Sequence, residues 1–269
     1  MYRMHATNQP LIDPHRSNMH DGPSVIAMVC RSADLRDTPR HSHARGQLIA
    51  ANSGLLTIDT DTERLVVPPS HAVWVPSGRL HSLRSHGPFD GWSVYVSPSA
   101  DVVLPGQALV MRISFLLRAA VLRAAGWSDT LMPDAAQARV LSVILDEIAG
   151  LPRERLALPL PSERRLKKIA QAIADDPADS RTLPQWAEWA AIAPRTLTRR
   201  FAAETGMPFS EWRQRARLMR ALELLSAGQS VTSIAIDLGY DSLSAFIAMF
   251  RRTMGVSPSK YLVDRDRSL

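Results

Sequence analysis

Several features that mark secreted or membrane proteins are scarce in this 269-residue chain. Its single cysteine, Cys30, excludes an intrachain disulfide and is predicted to be a buried strand residue. No apolar run approaches the roughly 18 residues of a membrane helix, so no membrane partner is expected. Residues 1–22 lack periodicity and also lack the apolar core of a signal peptide. We therefore predict a cytoplasmic protein with an N-terminal arm that is either flexible or ordered against the next domain.

Excess charge of one sign is confined to the C-terminal part of the chain. Residues 163–269 hold 17 Lys and Arg against 12 Asp and Glu, whereas residues 1–162 hold 15 against 14. A chain of this length is expected to form two domains. Because DNA phosphates attract basic surfaces, the C-terminal half is the candidate nucleic-acid binder.

The basic half contains the same sequence pattern twice, at Leu183–Gly206 and at Val231–Gly255. At a shift of 48, the matching residues are Trp186, Ala187 and Ala190 with Ile234, Ala235 and Leu238. At a shift of 49, they are Leu197, Phe201 and Gly206 with Phe246, Phe250 and Gly255. Each copy predicts a short helix, a tight turn and a second helix, which is typical of helix-turn-helix. The change of shift predicts one extra residue in the second turn.

Residues 208–227, between the copies, have the apolar spacing of an amphipathic helix. Pro208 suits its first turn and Gly228 its stop. Such a helix spans roughly 30 Å, and one turn of DNA measures about 34 Å. One chain would therefore place two reader helices in successive major grooves.

Residues 162–269 resemble the DNA-binding domain of the AraC/XylS family of transcription regulators. The resemblance is closest in Gly239–Leu262, which closes with Gly-x-Ser-Pro-x-x-Tyr. It implies a sequence-specific regulator that binds double-stranded promoter or operator DNA as a homodimer. If the protein is an activator, RNA polymerase is a further partner.

Matching the family's pattern to the first reader helix assigns its DNA contacts. The guanidinium group of arginine can donate two hydrogen bonds to one guanine, at O6 and N7. Base contacts are expected at Arg195, Thr198 and Arg199. Arg200 lies to the side of these residues and is expected to contact a phosphate. The predicted DNA-binding residues of this helix are Arg195, Thr196, Thr198, Arg199 and Arg200.

The second reader helix lacks long polar side chains at its outward positions. Ser244 can bond a base or a phosphate, and Ala245 and Ala248 can pack on thymine methyl groups. Phosphate contacts are predicted for Ser242, Arg251 and Arg252. We therefore predict that the first copy carries most of the hydrogen-bond specificity.

The N-terminal half reads as short strands separated by turns, which favours a barrel or jelly roll. The runs are residues 25–30, 47–51, 55–59, 64–67, 72–75, 81–84 and 92–96. Within them, His41-Ser42-His43 leads to Gln47 and Gly54, and Pro76-Ser77-Gly78 leads to His81. These spacings resemble the two cupin motifs, H-x-H-x3-E-x6-G and P-x-G-x2-H. Gln47 replaces the family's glutamate.

The resemblance implies that His41, His43, Gln47 and His81 converge inside the barrel. We expect His41 and His43 on one face of a strand and His81 on a facing strand. Three neutral imidazoles suit one divalent transition metal, such as zinc, nickel, copper or ferrous iron. Gln47, however, supplies only a neutral amide oxygen. A bound metal, a metal-free pocket for a small-molecule effector, and purely structural histidines all remain open.

We therefore predict an α+β chain with a cupin-type β-barrel, then helices, then an all-α domain with two helix-turn-helix motifs. The segments are arm 1–22, effector domain 23–105, helical connector 106–150, linker 151–161 and DNA-binding domain 162–269. Helices predicted at 112–125 and 134–149 either cover their own barrel or pair with a second subunit. The linker is assigned from its three prolines.

The predicted function is a transcription regulator whose cupin-like domain senses a small molecule or a metal. One alternative is a constitutive DNA-binding regulator whose barrel is only a dimerisation platform. A metal-dependent cupin enzyme is a third hypothesis. Gln47 and the attached DNA-binding domain argue against it, so we expect neither enzymatic activity nor catalytic residues.

Overall fold

The computed structural model describes residues 11–32, 35–69, 71–100, 103–127, 132–154 and 156–267. The chain divides into two compact units. One, called the β-domain here, comprises most of the chain up to residue 157; the other, the helical domain, comprises residues 61–64 and 158–267. Among the described residues, no helix is both long and apolar enough to cross a membrane.

The described residues form eleven strands in two antiparallel sheets, and nine of these strands lie entirely in the β-domain. The eleven strands are β1 (Val25–Ser32), β2 (Asp37–His41), β3 (Gly46–Ser53), β4 (Leu56–Thr60), β5 (Glu63–Val67), β6 (His71–Val75), β7 (His81–Ser85), β8 (Phe89–Val96), β9 (Leu109–Arg112), β10 (Arg153–Glu154) and β11 (Ala157–Pro159). The first sheet has the order β1-β8-β3-β6-β9-β10, and the second β11-β5-β4-β7-β2. The described strands thus form two sheets and do not close into the single barrel that we predicted.

All seven predicted strands are present, but four others were missed. Strand β9 pairs with β6, with Val110 opposite Val73, so the effector domain extends to Arg112 and does not end at 105. Strand β10 pairs with β9, and β11 follows it, so the predicted linker 151–161 carries sheet structure. These strands are short, and only their long-range partners distinguish them from loop.

The described part of the predicted N-terminal arm, residues 11–22, is ordered against the β-domain, which is one of the two alternatives stated above. Helix α1 (Pro14–Asn18) begins after Asp13, whose side chain accepts a hydrogen bond from the His15 N–H. The backbone N–H of Arg45 donates to the Ser17 carbonyl. Ile12 is buried and packs with Ile26 and Tyr95. Residues 1–10 of the predicted arm lie outside the described residues.

Two helices cover one face of the first sheet. Helix α2 (Phe115–Ala125) is capped by Ser114, and α3 (Ala135–Gly150) begins with a capping box between Asp134 and Gln137. Their buried faces, which include Leu117, Val121, Ile144 and Ile148, share one core with alternate residues of the sheet, which include Val25, Ala27, Leu48, Ala50, Trp92 and Val94. Because these sheet residues face the helices, their neighbours Gln47, Ser93 and Tyr95 point to the opposite face.

The helical domain contains both predicted copies and the predicted helix between them. Its helices are α4 (Arg164–Asp175), α5 (Leu183–Trp189), α6 (Pro194–Thr205), α7 (Phe209–Ser226), α8 (Val231–Asp237), α9 (Leu243–Met254) and α10 (Pro258–Arg267). Large side chains of both copies and of α7 are fully buried in its core: Trp186, Leu197, Phe201, Trp212, Leu222, Phe246 and Phe250. At 18 residues, α7 spans about 27 Å.

The turns of the two copies repeat each other's hydrogen bonds. Ala191 N–H donates to Glu188, and Gly239 N–H donates to Ile236, at distances of 3.0 and 2.9 Å. Residues 190–193 separate the helices of copy one, and residues 238–242 those of copy two. The prediction of one extra residue in the second turn is therefore confirmed.

Candidate DNA interface and effector cavity

Helix α6 presents its predicted DNA-contacting residues to solvent. Leu197 and Phe201 are fully buried, which rotates the opposite face of the helix outward. Arg195, Thr198, Arg199 and Arg200 are exposed, and Thr196 is half-buried. Within the described part of the chain, neither Arg195 nor Arg199 forms a salt bridge. Their guanidinium groups are therefore available to a ligand, although their contact with DNA remains a prediction.

Helix α9 presents a different surface. Ser244, Ala245 and Ala248 are exposed, and Ile247 is half-buried. Ser244, Ile247 and Ala248 line one depression together with Arg251 and Arg252. The helix therefore offers small and apolar groups at its centre and positive charge toward its C-terminus.

Ser242, which we predicted to contact phosphate, is the N-cap of α9. Its Oγ accepts a hydrogen bond of 3.2 Å from the Ala245 N–H. Capping engages the oxygen of this hydroxyl with the first turn of the helix. The role that the structure gives to Ser242 is thus to start the reader helix.

Several arginines of the helical domain hold its own backbone together. On α7, Arg213 donates to the carbonyls of Asp179 and Arg181, and Arg217 donates to that of Pro177. Arg181 in turn forms a salt bridge of 2.5 Å with Asp179 and thereby lowers the pKa of that carboxyl. These groups fix the loop between α4 and α5, so part of the basic excess of this domain is structural.

Trp189, whose position the sequence did not explain, lies at the surface between two cations. Lys168 Nζ is 4.2 Å from the centre of its ring system, and the Arg181 guanidinium carbon is 5.0 Å away. Its ring also packs edge-on against the buried Trp186. Cation–π attraction explains how this half-exposed indole is held.

The three histidines of the cupin-like motifs come together in the β-domain. The ring centres of His41 and His81 are 4.3 Å apart, and those of His43 and His81 are 5.1 Å apart. One nitrogen from each ring lies within 4.8 Å of the others. The predicted convergence is therefore confirmed, although the elements that supply the side chains differ from the prediction.

His41 ends β2, and His43 lies in the loop that follows, not on the same strand. His81 begins β7 and is the direct antiparallel partner of His41, so it comes from the neighbouring strand of the same sheet. Both placements were wrong, because β2 ends at His41, before His43, and pairs at that residue with β7.

Backbone carbonyls hold all three imidazoles in one orientation. Nδ1 lies 2.9 Å from the Pro39 oxygen in His41, 2.5 Å from the Arg45 oxygen in His43, and 2.8 Å from the Arg79 oxygen in His81. A carbonyl oxygen only accepts hydrogen bonds, so Nδ1 carries the proton in each neutral ring. The Nε2 lone pairs are left for another partner.

Burial keeps two of these rings neutral. It lowers the pKa of the His43 imidazole, and it lowers the pKa of His81 to about 4. At neutral pH neither ring has to lose a proton before it can bind a cation.

Gln47 reaches the cluster from the first sheet. Its Nε2 donates to Ser93 Oγ and to Tyr95 Oη, each at 3.0 Å, which turns Oε1 toward His43 Nε2 at 3.2 Å. In this orientation two acceptors face each other, and a cation between them would relieve that conflict. The four side chains thus present only lone pairs to one region.

A cavity of about 190 Å³ adjoins these groups. Its polar lining includes Thr38, and its apolar lining includes Ile12 and Leu83. Sequence reasoning missed Thr38, because β2 contains Pro39 and shows no alternation. Tyr95 was also missed, since it lies in a predicted strand whose apolar residues gave no indication of which face lines a cavity.

Comparison with known proteins agrees with both domains. The family model for the AraC-like ligand binding domain matches residues 25–131, and a helix-turn-helix domain model matches residues 186–263. The transcriptional regulator NimR of Escherichia coli strain K12 is 33% identical over 96% of this chain and 93% of its own length. The chain belongs to the AraC family of transcription regulators. As in that family, a ligand-binding domain precedes a DNA-binding helix-turn-helix domain.

Other AraC-type relatives match the chain over smaller shares or at lower identity. The arabinose operon regulatory protein of Salmonella typhimurium is 23% identical over 76% of this chain and 78% of its own length. Among solved structures, ToxT from Vibrio cholerae covers 89% of this chain and 98% of its own at 15% identity, with a TM-score of 0.39. The C-terminal domain of AraT from Geobacillus stearothermophilus covers 38% of this chain and 86% of its own length at 30% identity, with a TM-score of 0.37.

Proposed function

We propose that this AraC-family regulator senses its effector through a divalent transition metal held by His41, His43, His81 and Gln47. The observation that carries the proposal is that all three imidazoles have Nδ1 tied to a backbone carbonyl oxygen. Hydrogen bonds from the ring nitrogen that does not bind the metal orient the histidines of known metal sites in this way. When bound, the metal would supply a Lewis-acidic centre open to the adjoining cavity.

Regulation requires that the effector bind two states of the protein unequally, since a ligand with equal affinity for both shifts neither. By reciprocity, DNA that favours one state changes effector affinity by the same factor. We propose a sensor of this type in the cytoplasm, with no enzymatic turnover. If the protein activates transcription, RNA polymerase is its further partner, which promoter-directed transcription in vitro would test.

We also propose direct base contacts from Arg195, Thr198 and Arg199, and phosphate contacts from Arg200, Arg251 and Arg252. The exposure of these residues on α6 and α9 supports this assignment. Thr196, Ser244, Ala245 and Ala248 complete the proposed interface. Operator footprinting with single alanine variants, or glycine variants at the alanines, would test each position.

A homodimer is proposed through α2. Its buried side packs on the sheet, yet Phe115, Leu116 and Leu122 are exposed, Phe115 at 94% of its surface. Exposed apolar clusters of this kind mark interfaces. Replacing Phe115 and Leu116 by serine should shift the sedimentation profile toward monomer, whereas a change in the exposed Arg84 should not.

The decisive experiment compares metal content and operator binding of the wild type with those of His41→Ala/His43→Ala. Stoichiometric metal, lost in the variant together with regulated DNA binding, is the expected result. A metal-free protein whose operator affinity is the same in wild type and variant would instead favour a constitutive regulator with a dimerisation platform. Turnover of a substrate that depends on these histidines would favour a cupin enzyme.

A further inference from the structure

The proposed metal site contains no negative charge. Its donors are three imidazoles and one carboxamide, all neutral. None of the described residues that line the adjoining cavity is Asp or Glu. A divalent cation held here would keep its full formal charge. Such a charge is costly to bury unless an opposite charge lies beside it.

We propose that the effector is a small organic anion of the carboxylate class, which completes the coordination of the metal and fills the adjoining cavity. The inference rests on the proposed metal site and names the ligand class of that site. An organic cation is disfavoured, because the metal already leaves uncompensated positive charge. A neutral ligand would leave that charge unbalanced.

The apolar lining of the cavity indicates that the anion has a hydrocarbon part. Ile12, Leu83 and Pro39 are among its lining residues. The cavity, at about 190 Å³, has room for a short-chain or small aromatic carboxylate.

Thr38 provides an independent indication of an acceptor in the ligand. Its hydroxyl is buried, the residue being only 8% exposed, and it has no hydrogen-bond partner among the described residues. Buried hydroxyls nearly always have a partner. Thr38 lines the same cavity, so we expect its O–H to donate to a carboxylate oxygen of the bound anion. The metal would then bind one oxygen of the carboxylate group, and Thr38 the other.

The test uses the full chain, stripped of metal and loaded with Co²⁺, whose visible absorption bands report the ligands and their number. Bands that appear with the wild type and are lost in His81→Ala would establish the metal site. Failure of the wild type to bind Co²⁺ would overturn the proposed metal site itself, and with it the present inference.

The Co²⁺ protein is then titrated with acetate, butyrate and benzoate, and separately with chloride, butyramide and butylamine. We expect saturable band changes with the carboxylates only. Affinity should rise about fourfold per added methylene from acetate to butyrate, the factor that corresponds to roughly 0.8 kcal/mol of apolar burial. Unchanged bands with every carboxylate, or equal changes with chloride or butyramide, would overturn the inference while leaving the metal site in place.

Two variants separate the parts of the cavity. Thr38→Val should weaken acetate binding several-fold with unchanged Co²⁺ affinity, whereas Thr57→Val, at a buried threonine outside the cavity, should alter neither. Leu83→Ala should remove the gain from acetate to butyrate and leave acetate binding unchanged. Equal effects of Thr38→Val and Thr57→Val would show that Thr38 does not contact the anion, which would overturn the proposed carboxylate binding mode.

Discussion

At the residue scale, the two helix-turn-helix copies differ at one backbone position in the turn, which is strained in the first copy only. Ala191 has a φ of +51°, in the left-handed region, and Gly239 occupies the equivalent position with a φ of +69°. A left-handed conformation costs a residue with a Cβ atom about 1–2 kcal/mol, whereas glycine adopts it readily. The first turn therefore carries strain that the second avoids.

We expect Ala191→Gly to raise the free energy of unfolding by about 0.5–1 kcal/mol, because the relief of strain exceeds the added chain entropy of glycine. The reciprocal change, Gly239→Ala, should lower it by about 1–2 kcal/mol. Urea unfolding followed by circular dichroism measures both. A loss of stability in Ala191→Gly would contradict the account.

Cys30 illustrates how burial controls reactivity. The residue is buried in β1, as predicted, and burial raises the pKa of its thiol to about 11 from a reference value of 9.0. A raised pKa lowers the thiolate fraction at pH 8, and only the thiolate reacts with disulfide reagents.

We therefore expect folded Cys30 to react with an aromatic disulfide reagent at pH 8 about 100-fold more slowly than the urea-unfolded chain, from the two-unit difference in pKa. Absorbance of the released thiolate gives both rates. Similar rates in the folded and unfolded chain would mean that β1 opens readily.

At the element scale, the two reader helices differ in chemistry on the same backbone plan. Both end at a left-handed glycine, Gly206 and Gly255, and both bury an apolar stripe that contains phenylalanine: Phe201 in α6, and Phe246 and Phe250 in α9. Helix α6 presents arginines, whereas α9 presents Ala245 and Ala248. Arginine reads guanine through hydrogen bonds, and a methyl group reads thymine through apolar contact.

Replacing thymine by deoxyuridine removes only the C5 methyl group. At each thymine that α9 contacts, this replacement should weaken operator binding about fourfold. That factor corresponds to the loss of roughly 0.8 kcal/mol of apolar burial. The same replacement in the half-site read by α6 should have no effect. In that half-site, Arg199→Ala should reduce the preference for guanine over other bases by about 1–3 kcal/mol. Fluorescence anisotropy measures each affinity, and equal tolerance of uracil in both half-sites would refute apolar reading by α9.

At the scale of the whole molecule, the net charge of +6 overstates the charge available to DNA. Arg213 and Arg217 bind backbone carbonyls of their own domain. Arg200 and Arg251 are exposed on the reader helices and are expected to contact phosphate.

Each phosphate contact changes the slope of log K against log salt concentration by about 0.9. We expect Arg200→Ala and Arg251→Ala each to reduce the magnitude of the slope by about one. Arg84→Ala, an exposed arginine of the β-domain, should leave the slope unchanged. Operator affinities at several salt concentrations give the slopes, and an unchanged slope in Arg200→Ala would remove that residue from the interface.

The sequence by itself determined the helical domain almost completely. Helix periodicity, caps and the shifts of 48 and 49 residues are local signals, so the core around Phe201 and Phe250 and the outward face of α6 were predicted from them. The cupin-like spacing likewise predicted that His41, His43 and His81 meet. What lay beyond local pattern was the role of Ser242 as a cap and the ordering of residues 11–22.

Only the tertiary structure decided how the β-domain is assembled. Strands β2 and β9 have weak local patterns, and their places depend on partners such as His81 and Val73, which lie far along the chain. The same pairing places Thr38 in the effector cavity and aims the three imidazoles. Long-range register depends on which apolar faces become buried together, and this information lies in the packed sheets and not in any single segment.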